Sequence, residues 1–139
     1  MTTAAAILLL SSLSPATAER YAALIDREAE RHQINPLLVV ALIHRESRFN
    51  RRAVSGRNIG LGQVRVSATT HRKYLGLEAK LLAPKLNIRL TVRMLAYWRG
   101  YHRRHCRGGH LWNAHYQHGR RVKDRGSGDR VAATLARLQ

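Results

Sequence analysis

Glu46 is the residue of this sequence that is best placed to do chemistry. It lies just after the apolar run LLVVALIH in a chain with 25 Lys and Arg against 8 Asp and Glu, and no other acid lies between Glu30 and Glu78. Helical residues are about 100° apart, so Leu42 and Ile43 share a helix face with Glu46. Burial on that face is expected to raise the pKa of the carboxyl group. A protonated carboxyl group in an apolar pocket can act as the general acid in glycosidic cleavage.

A structural ion pair is the alternative interpretation of Glu46. Arg45 and Arg48 are its neighbours in the sequence, and a carboxylate that pairs with an arginine can stabilise a fold without taking part in a reaction. Helical periodicity, taken alone, favours this alternative.

The sequence around Glu46 predicts a mainly α protein. Asn35 suits a helix N-cap and Pro36 the first helical position, so the helix that carries Glu46 is expected to run from Pro36 to about Arg48. Three glycines make residues 55–63 a loop. We find no β alternation, no internal repeat and no second domain. The other predicted helices cover residues 19–33, 66–75, Pro84 to about His105, and 110–117, followed by a last helix capped by Asp129.

The formal net charge of +17 predicts a polyanionic partner. Nucleic acid, an anionic membrane surface and an acidic cell-wall polymer all fit such a charge. A basic surface that is merely solvated is the alternative, because net charge describes partners and solubility rather than fold.

Residues 1–18 resemble a secretory signal. The apolar stretch from Ala4 to Leu13 precedes Pro15 and the small-x-small triplet that ends at Ala18, which predicts cleavage after Ala18. A signal usually has a basic residue before the apolar stretch, and none is present, so a frayed N-terminal helix is the alternative. We therefore expect a domain over 19–139, exported to the periplasm or cell envelope, with no transmembrane segment in the mature chain. Export makes nucleic acid an unfavoured partner.

A crowded set of imidazole and thiol groups near the C-terminus raises the alternative of a metal site. Their spacing matches no familiar closed zinc site, and the neighbouring Arg103, Arg104 and Arg107 would repel a cation. The sequence therefore predicts no metal and no cofactor. Cys106 is the only cysteine, so an intramolecular disulfide is excluded. The set consists of His102, His105, Cys106, His110, His115 and His118.

Five ordered segments resemble the soluble lytic transglycosylases, relatives of goose-type lysozyme. The likeness covers about residues 21–122. It implies a single lysozyme-like domain of short helices around one core. The matching segments are Glu46-Ser47 at the end of a helix opened by Asn35-Pro36, then Ala53-Val54-Ser55, then Gly60-Leu61-Gly62-Gln63, then Asn87-Ile88 with Leu95, and finally Tyr116 with Gly119 and Val122.

The sequence departs from that family at several positions. Gly62 replaces a Met that shapes the wall of the cleft beside the acid, and we expect this change to leave the wall open or mobile. Val66 and Ala68 replace a Pro and a Thr, and Gln117 replaces an Asn. These departures concern substrate fit more than the catalytic acid.

The resemblance implies a reaction with one carboxyl group. Glu46 would protonate the glycosidic oxygen between N-acetylmuramic acid and N-acetylglucosamine of peptidoglycan. It would then act as base while the muramic 6-hydroxyl forms a 1,6-anhydro product; lysozyme-type hydrolysis is left open.

The resemblance also implies which residues bind the substrate. They are Ser47, Gln63, Tyr116 and Gln117. The alternatives are a polar helix end for Ser47, loop packing for Gln63, and a buried, satisfied hydroxyl for Tyr116. Asn87 is expected to be a structural tie.

A non-catalytic protein that binds an envelope polymer or nucleic acid on a lysozyme-like fold is the alternative function. Secretion, conjugation and phage entry are all possible settings, and the sequence does not choose among them.

Overall fold

The computed structural model describes residues 1–66, 77–107, 111–122 and 126–139. These residues are mainly helical, which confirms the predicted fold class. The helix expected over 66–75 falls almost entirely outside the described residues. The elements, in chain order, are α1 (Thr3–Leu10), α2 (Pro15–His32), α3 (Pro36–Ser47), β1 (Val54–Ser55), β2 (Asn58–Ile59), β3 (Val64–Arg65), α4 (Leu77–Leu81), α5 (Pro84–His105), a 3₁₀ helix (Trp112–Ala114), α6 (His115–His118) and α7 (Gly126–Leu138).

Helix α2 begins at Pro15 rather than at residue 19. The hydroxyl of Ser14 accepts a hydrogen bond from the N–H of Thr17, and Pro15 occupies the first helical position, where its missing N–H costs nothing. Ala18 is therefore a buried residue inside a helix. Helix α1 packs against α2 and α3, and its Ile7 is fully buried.

Helix α3 confirms the prediction for the segment that carries Glu46. The side-chain oxygen of Asn35 accepts from the N–H of Leu37 at 2.9 Å, and Pro36 follows as the first helical residue. The helix ends at Ser47, and the next residue, Arg48, adopts a left-handed conformation. Its apolar residues are buried against α1, α2 and α7.

Helix α5 runs from Pro84 to His105, as the sequence predicts. Arg99 in this helix donates hydrogen bonds to the carbonyl oxygens of His32 and Gln33, so it caps the C-terminus of α2. One side of α5 is fully buried. Partly exposed aromatic residues follow it near the end of the helix. That buried side consists of Asn87, Ile88, Thr91, Val92 and Leu95.

A three-stranded antiparallel sheet, in the order β1-β2-β3, occupies the region predicted as a loop. Val54 pairs with Ile59, and Ile59 pairs with Val64. The prediction of a loop without strands in this region is therefore wrong. Each strand has only two residues, which is too short for alternation to be visible. The sheet packs with Leu81 in a small second core.

The C-terminal part is less regular than predicted. A 3₁₀ turn and the single turn of α6 replace the helix expected over 110–117. Helix α7 begins at Gly126, so Asp129 lies in its first turn instead of capping it. Among the described residues, no helix is long and apolar enough to cross a membrane.

Candidate active site

Glu46 borders a pocket of about 120 Å³. The pocket lies where the end of α3 meets the sheet, α5 and α6. Three of the four residues predicted to bind substrate lie there with Glu46, and the fourth, Ser47, does not line it. The lining residues are Glu46, Asn58, Gln63, Arg65, Met94, Tyr116 and Gln117.

The carboxyl group of Glu46 is partly buried beside the apolar face of α3, where Leu42 and Ile43 are buried. Burial raises its pKa, because desolvation disfavours the charged form. The positive charge of Arg45 lowers the pKa by a smaller amount. Glu46 forms no ion pair with any described residue, so the structural ion pair is not observed. The protonated acid therefore persists to higher pH than an exposed carboxyl group would allow.

No second acid from the described residues lines this pocket. Glu28 is buried and lies 3.4 Å from Arg31. It borders a separate cleft between α2 and α5 that shares no lining residue with the Glu46 pocket. The described residues thus give the pocket one carboxyl group, whereas two-carboxylate glycosidases need a pair.

Asn87 of α5 holds the loop that forms one side of the pocket. Its Oδ1 accepts from the N–H of Gly62 at 2.8 Å, and its Nδ2 donates to the carbonyl oxygens of Ile59 at 2.8 Å and Leu81 at 2.9 Å. Gly60, at φ +77°, lets the loop pass so close that a Cβ there would overlap the Asn87 amide. This arrangement agrees with the expectation that Asn87 is a structural tie.

Gly62 does not leave the pocket wall open. The expectation of an open wall at this position is therefore wrong. Gly62 is buried, and a Cβ at this position would overlap Oγ1 of Thr91 on α5. The volume that a side chain would take is therefore already filled by Thr91. Met94, one turn further along α5, lines the pocket instead.

Tyr116 is a buried residue whose hydroxyl is satisfied by the backbone. The hydroxyl donates to the carbonyl oxygen of Gly62 at 2.7 Å. Burial raises the pKa of Tyr116, the hydrogen bond with Thr91 opposes this, and the charge of Glu46 raises it further. The hydroxyl therefore stays protonated, and Tyr116 joins α6 to the loop beside Glu46.

Gln63 and Gln117 have different surroundings in the pocket. The side-chain nitrogen of Gln63 donates to the carbonyl oxygens of Ala53 at 3.1 Å and Gly60 at 3.0 Å, so this amide supports the loop while it lines the pocket. Gln117 is exposed at the pocket edge. Ser47 donates to the carbonyl oxygen of Ile43 at 3.3 Å, which is the bonding of a polar residue at a helix end.

Sequence reasoning missed Asn58, Arg65 and Met94. Arg65 is one of many arginines, and only its place in the strand directly after Gln63 distinguishes it. Met94 lies in the apolar stripe of α5, where its spacing resembles that of an ordinary core residue.

A separate group that could hold a metal, His102, Cys106 and His115, shares no residue with the pocket.

Comparison with protein families identifies a match over most of the chain. The model of the transglycosylase SLT domain matches residues 23–115. The matched region extends from α2 to the first residue of α6, and it includes Glu46, Gln63 and Asn87. Neither the curated proteins nor the solved structures gave a match.

Proposed function

The chain belongs to the transglycosylase SLT domain family, whose members act on peptidoglycan, and we propose that Glu46 is its single catalytic acid and base. The bond cleaved would be the glycosidic bond between N-acetylmuramic acid and N-acetylglucosamine. The observation that supports this proposal is the partly buried carboxyl group with a raised pKa, in a pocket to which the described residues contribute no other acid.

The first half of the proposed reaction is proton donation. Protonated Glu46 gives its proton to the glycosidic oxygen, the bond from that oxygen to the anomeric carbon breaks, and the bonding electrons remain with the oxygen. The N-acetyl group of the muramic residue stabilises the positive charge on the anomeric carbon, so no second carboxylate is needed.

The second half restores the enzyme. The 6-hydroxyl of the same sugar attacks its anomeric carbon, and the Glu46 carboxylate accepts the hydroxyl proton. The product carries a 1,6-anhydro ring, and Glu46 is protonated again. Attack by water in place of the 6-hydroxyl would give the lysozyme-type product.

The other pocket residues would bind and position the glycan. Gln63 and Gln117 offer amide groups to the sugar amides, and Arg65 offers a cation to a muropeptide carboxylate. Tyr116 is a positioning residue, since its hydroxyl holds the loop rather than a substrate. We assign Ser47 a structural role at the end of α3 rather than a contact with the glycan.

Basic residues outside the pocket would attract the wall polymer. A cleft of about 560 Å³ between α2 and α5 is lined mainly by cations. Attraction of this kind acts over a distance of about 10 Å at 0.1 M salt and weakens as salt is added. The cations are Arg27, Arg31, Lys80, Lys85 and Arg89.

We also propose export of the chain, with cleavage after Ala18. In the folded structure this cleavage would remove α1 and the first turn of α2, so it must precede complete folding. Sequencing the N-terminus of protein recovered from the periplasm tests this step. A new N-terminus at Glu19 supports it, and an active periplasmic protein that still begins at Met1 contradicts it.

Mass spectrometry of purified peptidoglycan digested by the protein tests the proposed reaction. We expect 1,6-anhydromuropeptides from the wild type and none from Glu46→Gln. Reducing-end products would indicate hydrolysis. The absence of any soluble product from folded wild-type protein would favour the second candidate, a non-catalytic polymer binder, which the net charge of +17 supports.

A further inference from the structure

The end of α5 and the start of α6 bring together two imidazoles and a thiol. His102 and Cys106 are one helical turn apart, and His115 approaches them from α6. Nδ1 of His102 lies 3.2 Å from Nε2 of His115, and Sγ of Cys106 lies 3.5 Å from the same nitrogen. One ligand atom from each of the three residues lies within 4.8 Å of the other two.

These distances fit the edges of a tetrahedral zinc site. Zinc binds histidine nitrogen at about 2.0–2.1 Å and thiolate sulfur at about 2.3 Å, so neighbouring ligands are about 3.3 Å apart for two nitrogens and about 3.6 Å apart for nitrogen and sulfur. The two distances from His115 match these values. The ligand atoms of His102 and Cys106 lie within 4.8 Å of each other.

His115 is held in the orientation that a ligand needs. Its Nδ1 donates to the carbonyl oxygen of Gly119 at 2.7 Å, which leaves Nε2 directed at His102 and Cys106. Metal-binding histidines usually donate their other ring nitrogen to a carbonyl or carboxylate in this way, which sets the tautomer and the ring orientation. The ring is fully buried and stacks on Trp98 with centroids 5.6 Å apart.

The neighbouring arginines do not oppose a cation as strongly as the sequence indicates. Arg103, Arg104 and Arg107 are all exposed, so solvent and salt screen their charges. His102 and Cys106 are half-buried, which leaves a path from solvent to the three ligand atoms.

We propose that His102, Cys106 and His115 bind one divalent transition-metal ion, of which Zn²⁺ suits the donor set best. Two nitrogens and a thiolate favour zinc over magnesium or calcium, which prefer oxygen ligands. A water molecule would complete the four-coordinate shell. This site is separate from Glu46 and does not depend on the proposed glycan cleavage.

The bound ion would fasten α6 to the end of α5. Its ligands lie on both sides of the connection between these helices, and His115 is followed directly by Tyr116 of the pocket wall. Metal binding is therefore expected to stabilise the C-terminal part of the fold, because it favours the folded state over the unfolded chain.

Titration of the metal-free, full-length protein with Co²⁺ tests the proposal, since Co²⁺ bound to a thiolate gives a charge-transfer absorption. Because Cys106 is the only cysteine, this absorption in the wild type identifies the ligand without any mutation. We expect saturation at one ion per chain, loss of the absorption when Zn²⁺ is added, and a higher melting temperature with Zn²⁺.

Variants of two ligands complete the experiment. Cys106→Ser and His102→Gln, each checked for folding by circular dichroism, should bind Zn²⁺ at least about tenfold more weakly. His105→Gln changes an exposed histidine of the same helix outside the cluster and should bind like the wild type. The proposal is overturned if Co²⁺ gives no thiolate absorption, or if either ligand variant keeps wild-type affinity.

Discussion

The hydroxyl group of Tyr116 donates a hydrogen bond of 2.7 Å to the carbonyl oxygen of Gly62, across 54 residues of sequence. This bond joins α6 to the loop that Asn87 of α5 also holds, so two distant segments meet beside Glu46. The Glu46 pocket therefore depends on the position of α6, although the acid itself lies on α3.

Tyr116→Phe should destabilise the fold while it preserves the shape of the ring. The carbonyl oxygen of Gly62 would be buried without its donor, at a cost of about 1–3 kcal/mol in the free energy of unfolding. Urea denaturation measures the change. Tyr97→Phe, at a residue that is half-exposed, is the control and should leave stability unchanged. A Tyr116→Phe protein as stable as the wild type would refute this role.

Gly62→Ala should destabilise the protein because Thr91 occupies the space that the new methyl group would need. Overpacking of this kind costs about 1–3 kcal/mol. Adding Thr91→Ala should restore part of the loss, which a double-mutant cycle detects as a coupling energy. Gly100→Ala is the control, because only the flexible end of Arg104 approaches that position. Strictly additive effects of the two mutations would argue against direct packing.

The contrast between local and long-range features explains which predictions succeeded. The start of α3 follows from Asn35 and Pro36, which act on their own neighbours, and the inward side of Glu46 follows from helical periodicity. These features need only a few consecutive residues, so the sequence alone could predict them.

The failures concern contacts between distant segments. Thr91 of α5 fills the space beside Gly62, and the spacing of residues in the sequence does not indicate this contact. His115 of α6 lies beside Cys106 at the end of α5, and the spacing of these residues in the sequence does not predict this contact. Glu28 is buried although it is charged, because it packs within α2 and pairs with Arg31, and its residue type alone does not indicate this.

Asn87→Asp should weaken the loop while it keeps the side-chain shape. The replacement removes the donor that serves the carbonyl oxygens of Ile59 and Leu81 and places an acid among buried acceptors. We expect a loss of at least about 2 kcal/mol in the free energy of unfolding, since each unsatisfied buried group costs about 1–3 kcal/mol. Denaturant unfolding measures it. Stability within experimental error of the wild type would show that the loop does not depend on this amide.

The raised pKa of Glu46 predicts a pH-dependent difference between the wild type and Glu46→Gln. A carboxyl group with a higher pKa in the folded state than in the unfolded state binds more protons when folded, so stability falls as pH rises through that interval. Glu46→Gln removes this loss. The variant should therefore gain stability relative to the wild type as pH rises from below the ordinary carboxyl pKa to neutral.

Urea unfolding at a series of pH values measures this difference. Glu30→Gln makes the same change in net charge at an exposed position, and its effect is subtracted. If the wild type instead gains stability relative to Glu46→Gln as pH rises, Glu46 is stabilised as a carboxylate and the pocket does not favour the acid.

The turnover of purified peptidoglycan by Glu46→Gln, compared with the wild type and Glu30→Gln at equal folded concentration, tests the central claim most directly. General acid–base catalysis contributes about 10²–10⁴-fold to a rate, so Glu46→Gln should be at least about 10²-fold slower while Glu30→Gln matches the wild type. Turnover by Glu46→Gln at the wild-type rate would contradict the assignment of Glu46 as the catalytic acid.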